Sequence, residues 1–255
     1  MNGTYIPQRA LFIFAHADDI EFSVAGTAAL WARHGCEVRY VLLTDSSIGS
    51  HDPAMTREKL RAIREAEQRA SAEIAGAREC VFLGQPDGML EATLTLRKEL
   101  VRLIRQYRPN VVVCGDPTQF FPNDTRINHP DHRAAAQVAL DAVFPSADSP
   151  LLFPELVAEG YAPHKVNYVY ISSPSGEPNY YIDISSTFAI KIEALRQHRS
   201  QLNDWDPEPR LRDWSAGVGR KVGFAQAEAF RRITLKEPEA EESAEQKAEV
   251  TRQNS

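Results

Sequence analysis

Only three cysteines occur in the 255 residues, Cys36, Cys80 and Cys114. Their number is odd, none is spaced as CxxC, and each sits in or beside an apolar strand-like run. That excludes a disulfide framework and reads as reduced, buried thiols. No apolar run approaches the roughly 18 residues of a membrane-spanning helix, and the N-terminus has no charged segment leading into an apolar stretch and a cleavage site. A soluble, cytoplasmic protein with no membrane partner is expected. Basic charge is also scarce: 29 Lys and Arg stand against 35 Asp and Glu, so no basic face for nucleic acid is indicated. Much of the acidic excess lies in residues 236–255, which hold six Glu, two Lys and one Arg. That stretch is nearly free of large apolar residues and cannot offset its own ordering entropy. It reads as an acidic, disordered or frayed tail behind one domain at residues 1–235. A glycine-rich phosphate turn is missing as well. The residues after the first apolar run are HADDIEFSVAGT, with no GxGxxG, which disfavours a dinucleotide.

What the sequence does contain is an alternation. Apolar runs rich in β-branched residues occur at 11–15, 38–43, 80–83 and 111–114, separated by segments of helical period. Leu60, Ile63, Ala70 and Ile74 form one apolar stripe, Leu96, Leu100, Leu103, Ile104 and Tyr107 another, and Ala135, Val138, Ala139, Ala142 and Val143 a third. The pattern predicts an α/β fold, Rossmann-like, with a mostly parallel sheet flanked by helices. Two further strands, at 166–172 and 179–184, and a helix over about 186–202 are read as extending the same domain.

Ligands of open parallel sheets sit beyond the carboxyl ends of the strands. The polar outliers fall at those ends: His16, Asp18 and Asp19 after the first run, Thr44 to Ser46 after the second, Asp87 after the third and Asp116 after the fourth. Adjacent buried acids disfavour each other's ionisation unless a cation is present. A second cluster, NHPDH at 128–132, stands where a helix begins, and His129 and His132 share a face if that helix has started. A catalytic zinc usually has three protein ligands and an open position. His16, Asp19 and His132 supply such a set and leave Asp18 over, placed to act as general base toward a water whose pKa the ion lowers. Either motif alone is weak, because His and Asp also cap turns and helices. Their joint placement carries the reading.

HADDIEF with Gly26-Thr27, Arg64 and Glu67 in the following helix, FLGQPDG at 82–88, HPDHR at 129–133 and HRSQ at 198–201 together resemble the PIG-L (LmbE-like) family of metal-dependent N-deacetylases, over roughly residues 8–205. The resemblance implies a Rossmann-like fold with Zn2+ on His16, Asp19 and His132, Asp18 as general base, His129 as the positive partner of the oxyanion and Asp131 orienting a histidine. It implies removal of an acetyl or other acyl group from a glucosamine-type sugar or conjugate, a small-molecule partner. A thiol–sugar amidase, a natural-product tailoring deacetylase and a non-catalytic sugar- or metal-binding relative are the alternatives, and homo-oligomerisation is left open. Arg64, Glu67, Asp87 and His198 are the expected substrate-contacting residues, with an Arg64–Glu67 ion pair as the plainer alternative. Phe120, Phe121 and Trp205 are candidates to present a ring to a sugar face. The chain departs from the family at Ala17, where proline is usual, and at Ala25, where glycine is usual. Ala17 keeps the ligand spacing, while the Ala25 methyl is expected to reshape the pocket floor.

Overall fold

The computed structural model describes residues 4–237. All but the first two residues of the expected acidic tail lie outside the described residues. Strands β1 (Arg9–Phe14), β2 (Glu37–Thr44), β3 (Glu79–Gln85), β4 (Val111–Cys114), β5 (Tyr168–Ser172), β6 (Tyr180–Asp183) and β7 (Ala227–Thr234) form one sheet in the order β3-β2-β1-β4-β5-β7-β6. The first five are parallel, and β7 runs antiparallel to both neighbours. The 166–172 and 179–184 segments therefore join the same sheet, as expected from sequence.

β1, β4 and β5 are buried along nearly their whole length, because helices cover both faces of a parallel sheet. Side-chain alternation divides the core. Phe12 and Phe14 point to one layer with Trp31, Tyr40, Tyr170 and Phe230, while Leu11 and Ile13 point to the other with Val41, Leu100, Ile104 and Val138. On the first face lie α1 (Asp19–Ser23), α2 (Ala25–Arg33), α3 (Arg57–Ile74), α7 (Phe188–Leu195) and α9 (Glu208–Arg220). On the second lie α4 (Leu94–Tyr107), α5 (Pro130–Asp141) and α6 (Pro154–Ala158). Thr56 and Thr93 cap α3 and α4 by accepting from Lys59 N–H and Leu96 N–H, each cap contributing about 1 kcal/mol.

Several elements differ from the sequence expectation. α1 and α2 directly follow β1, within a stretch whose three acids hide the helical period. The helix expected over 186–202 splits into α7 and α8 (Arg199–Leu202), since His198 leaves helical geometry at the α8 N-cap. α9 and β7 carry so many charges that no apolar pattern announces them. The buried face of α3 is also polar, with Arg64, Gln68 and Ser71 beside Leu60, because this face looks onto the loop after β1.

Candidate metal centre and active-site cleft

The chain moves from β3, on one side of β1, to β4, on the other side, so the crevice at their carboxyl ends is the topological switch point. His16, Asp18 and Asp19 sit at that point. The Ala15 carbonyl is anchored to Thr44, whose backbone N–H and hydroxyl both donate to it. Ala17 N–H donates to Ser46 Oγ at 2.9 Å. Asp18 then takes a left-handed conformation (φ 89°, ψ −20°) as the N-cap of α1. A non-glycine residue there stores on the order of 1–3 kcal/mol of strain, which the surroundings must hold. They do so through Gln68, whose Oε1 accepts Asp18 N–H at 3.0 Å, and through Arg64.

Among the described residues, two groups of titratable side chains cluster closely enough to hold a metal ion: His16 with His129 and His132, and His16 with Asp87 and Asp131. The two nitrogens of His16 separate them. Nε2 lies 3.1 Å from Asp87 Oδ1 and 3.2 Å from Asp131 Oδ2. Both carboxylates already accept backbone donors, Asp87 from Ile48 N–H and Asp131 from Gly88 and Leu90 N–H. They therefore favour a proton on Nε2, while Nδ1 faces the other side of the ring. On the Nδ1 side, His132 Nε2 is 3.2 Å away and an Asp19 oxygen 3.5 Å away. His132 Nε2 lies 3.1 Å from the other Asp19 oxygen. A tetrahedral ion with bonds of about 2.0–2.2 Å sets its donor atoms about 3.3–3.5 Å apart, so His16, Asp19 and His132 are spaced to share one. The other His132 nitrogen faces Asn128 Oδ1 at 3.1 Å. His129 caps α5, its Nδ1 accepting Asp131 N–H at 3.2 Å, with Pro130 at the first helical position.

The electrostatics follow from this crowding. Burial works against a proton on His16, but hydrogen bonds to Asp131, Asp19 and Asp87 override it and raise its pKa to about 12. The pocket strongly favours a cation at this point. Burial raises the Asp18 carboxyl to about 6, with Arg64 opposing and Asp19 reinforcing the rise. His129 is lowered, by burial first and then by His16.

All four expected substrate contacts turn out to bond the protein itself. Arg64 is buried, and its guanidinium donates to the carbonyls of Ala17, Ser46 and Ile48 and to Asp18 Oδ2. Glu67 accepts from the Ser200 N–H and hydroxyl, so it pairs neither with Arg64 nor with the cleft. His198 has no exposed surface and faces Glu21 Oε2 at 3.4 Å. Glu21 in turn accepts from Gln68 and Ser71. These residues hold the floor from behind rather than touch a ligand. Asp87, the fourth, is also buried and serves His16. Ala25 is wholly buried in the core and reshapes no pocket floor.

Sequence reasoning missed Lys191 and Glu228, a buried pair 2.6 Å apart. Glu228 accepts from Gly26 and Thr27 N–H at the start of α2, and Lys191 donates to the Ser23 carbonyl at the end of α1. The pair fixes the α1–α2 junction and hence Asp19. Gly26 is required there, because a Cβ would stand 2.8 Å from Ile184 Cδ1.

Over the centre opens a cleft of about 770 Å³ lined by Asp19, His132, Phe22, Gln119, Trp205 and Trp214, among others. Such a volume suits a drug-sized ligand. Asp18 and His129 keep 14% and 38% of their side-chain surface exposed, so both remain accessible.

Known proteins resemble the chain in sequence and in fold. The chain is 34% identical to the diacetylchitobiose deacetylase of Thermococcus kodakarensis over 88% of its own length and 82% of that protein. Its fold matches the N,N'-diacetylchitobiose deacetylase of Pyrococcus horikoshii with a TM-score of 0.82 at 30% identity, covering 89% of this chain and 84% of that one. A 4-carboxy-2-hydroxymuconate hydratase from Pseudomonas putida KT2440 shares the fold at TM-score 0.75 and 23% identity, over 91% and 98% of the two chains. Fold alone therefore does not dictate the reaction. The PIG-L family model, described as GlcNAc-PI de-N-acetylase, matches residues 11–143, and the chain belongs to that family.

Proposed function

We propose that the protein is a divalent-metal-dependent hydrolase, with zinc the natural ion, that removes the N-acetyl group from a glucosamine-type sugar or its conjugate. The observation that carries this reading is the spacing of 3.1–3.5 Å among the donor atoms of His16, Asp19 and His132 at the edge of an open cleft, with Asp18 and His129 beside them and surplus to the ligand set. When bound, the ion lowers the pKa of a coordinated water toward about 7 and polarises the amide carbonyl. The same three residues would hold it, and Asp131 with Asp87 would orient His16.

The remaining work falls to the chain's own side chains. Asp18 accepts a proton from the attacking water as the new C–O bond forms at the amide carbon. A carboxyl raised by burial is a stronger base than an exposed one while still ionised near neutral pH. His129, accessible at the mouth, steadies the oxygen that gains charge. Asp18 then returns the proton to the amine nitrogen as the C–N bond breaks, giving a carboxylate and a free amine. Arg64 and Gln68 keep Asp18 in its left-handed backbone position throughout. A binding module has no use for that additional, strained carboxylate, and the deacetylase names of the relatives agree with turnover.

The test is release of acetate and primary amine in equal amounts from N-acetylglucosamine and N,N'-diacetylchitobiose by zinc-loaded protein. Asp18→Asn is expected to retain the metal and lose about 10²–10⁴-fold in kcat, and His129→Ala to lower kcat far more than it changes KM. Absence of amine release from both sugars at full metal loading, or near-normal turnover by the Asp18 variant, defeats the reading.

A further inference from the structure

Two of the chain's three tryptophans are left in water, Trp205 at 44% and Trp214 at 51% exposure. Both line the cleft that holds Asp19 and His132. Large rings exposed in the wall of a cleft that also holds the clustered Asp19 and His132 are placed to meet a ligand with an apolar face and polar edges. Trp205 lies nearly parallel to Phe22, at an interplanar angle of 16° and 6.4 Å between centroids. Phe22 follows Asp19 by three residues on α1, so the stacked pair is attached to the same helical turn as the carboxylate.

Trp214 stands on α9, beyond the segment that the family model matches. With Ser23, Ser173 and Leu211 it separates the cleft from a second hollow of about 250 Å³. Trp214 thus lines both hollows, and of the two only the larger also reaches Asp19 and His132. Arg126 and Arg210 line the first of them and supply donors for hydroxyl groups.

We propose that Trp214, in the same cleft wall as the Trp205–Phe22 pair, is the binding platform for the ring attached to the N-acylated sugar. The preferred substrate is then an oligosaccharide of two or more rings, and Trp214 is its specificity-determining residue. This rests on the deacetylase reading above for the position of the first ring.

The experiment compares kcat/KM for N-acetylglucosamine and N,N'-diacetylchitobiose in the zinc-loaded wild type, Trp214→Ala and Trp214→Phe. The wild type is expected to prefer the disaccharide, and that preference should fall roughly tenfold or more in Trp214→Ala, the scale of one lost aromatic face and its buried area. Phenylalanine should restore much of it, since it keeps a ring face. No disaccharide preference in the wild type, an equal loss on both sugars, or an unchanged ratio overturns the proposal. If neither sugar is hydrolysed, the deacetylase reading fails, and the platform is judged by calorimetric titration with N,N'-diacetylchitobiose. A roughly tenfold weaker Kd in Trp214→Ala supports it, while equal affinity, or no binding by the wild type, refutes it.

Discussion

Replacing Arg64 by methionine separates two roles that the sequence could not tell apart. The Arg64 side chain is 5% exposed and donates to three backbone carbonyls and to Asp18. Methionine fills similar length and removes every donor. Breaking a buried ion pair by deleting one partner destabilises by about 3–5 kcal/mol. Asp18 keeps 14% of its surface in water, which solvates part of the orphaned charge, so about 3–4 kcal/mol is expected. For a chain of this size each kcal/mol moves Tm by about 2–4 °C, giving a fall of roughly 6–16 °C by calorimetry. The kcat should drop with it, because the left-handed turn at Asp18 loses one of its two restraints, while KM stays within about threefold. Arg64→Lys should recover less than half of the stability, since an ammonium cannot reach carbonyls on two loops together. A Tm within about 2 °C of wild type combined with a tenfold rise in KM would refute this reasoning and return Arg64 to the substrate surface.

Three further outcomes are expected. His132→Ala should reduce bound zinc, measured by atomic absorption after dialysis, from about one per chain to near zero; unchanged metal content contradicts the ligand set. Gly26→Ala should destabilise by about 1–3 kcal/mol, because its methyl meets Ile184 with Glu228 behind it, and the truncation Ile184→Val in the same chain should recover part of that in urea unfolding; additive losses would rule out the clash. His164, lowered chiefly by burial although its Nε2 contacts the Pro109 carbonyl, favours the neutral imidazole in the folded state. Its contribution to stability is complete above the unfolded value near 6.5 and is lost as pH falls through the depressed folded value, so His164→Gln should flatten the decline of Tm between pH 7 and 5; an unaltered decline excludes His164 as its source.

The clustering of His16, Asp19 and His132 was legible because these residues stand at element ends, where strand periodicity breaks off in polar residues. The parallel strands were legible for the same reason, being continuous apolar runs. Arg64, Glu67 and His198 were misread since their partners lie far along the chain, Ser46 and Ile48 for the first, Ser200 for the second and Glu21 for the third. Burial of a charged side chain is a tertiary fact that spacing on a helix does not encode. β7 escaped notice because its inward residues include Glu228, a buried carboxylate that reads as surface until Lys191 is placed beside it.

The grip of Glu228 on Gly26 and Thr27 also bears on how the chain emerges during synthesis. The first helices that carry Asp19 are made early, yet the carboxylate that holds their junction follows roughly 200 residues later. At about 5–20 residues per second that interval is roughly 10–40 s. A nascent chain therefore carries His16, Asp18 and Asp19 on an unfastened loop for most of its translation, and ribosome-bound fragments ending before β7 are expected to expose the α1–α2 segment to proteolysis. Catalytic competence arrives late and in one step, with the closing strand acting as a latch on the opening one.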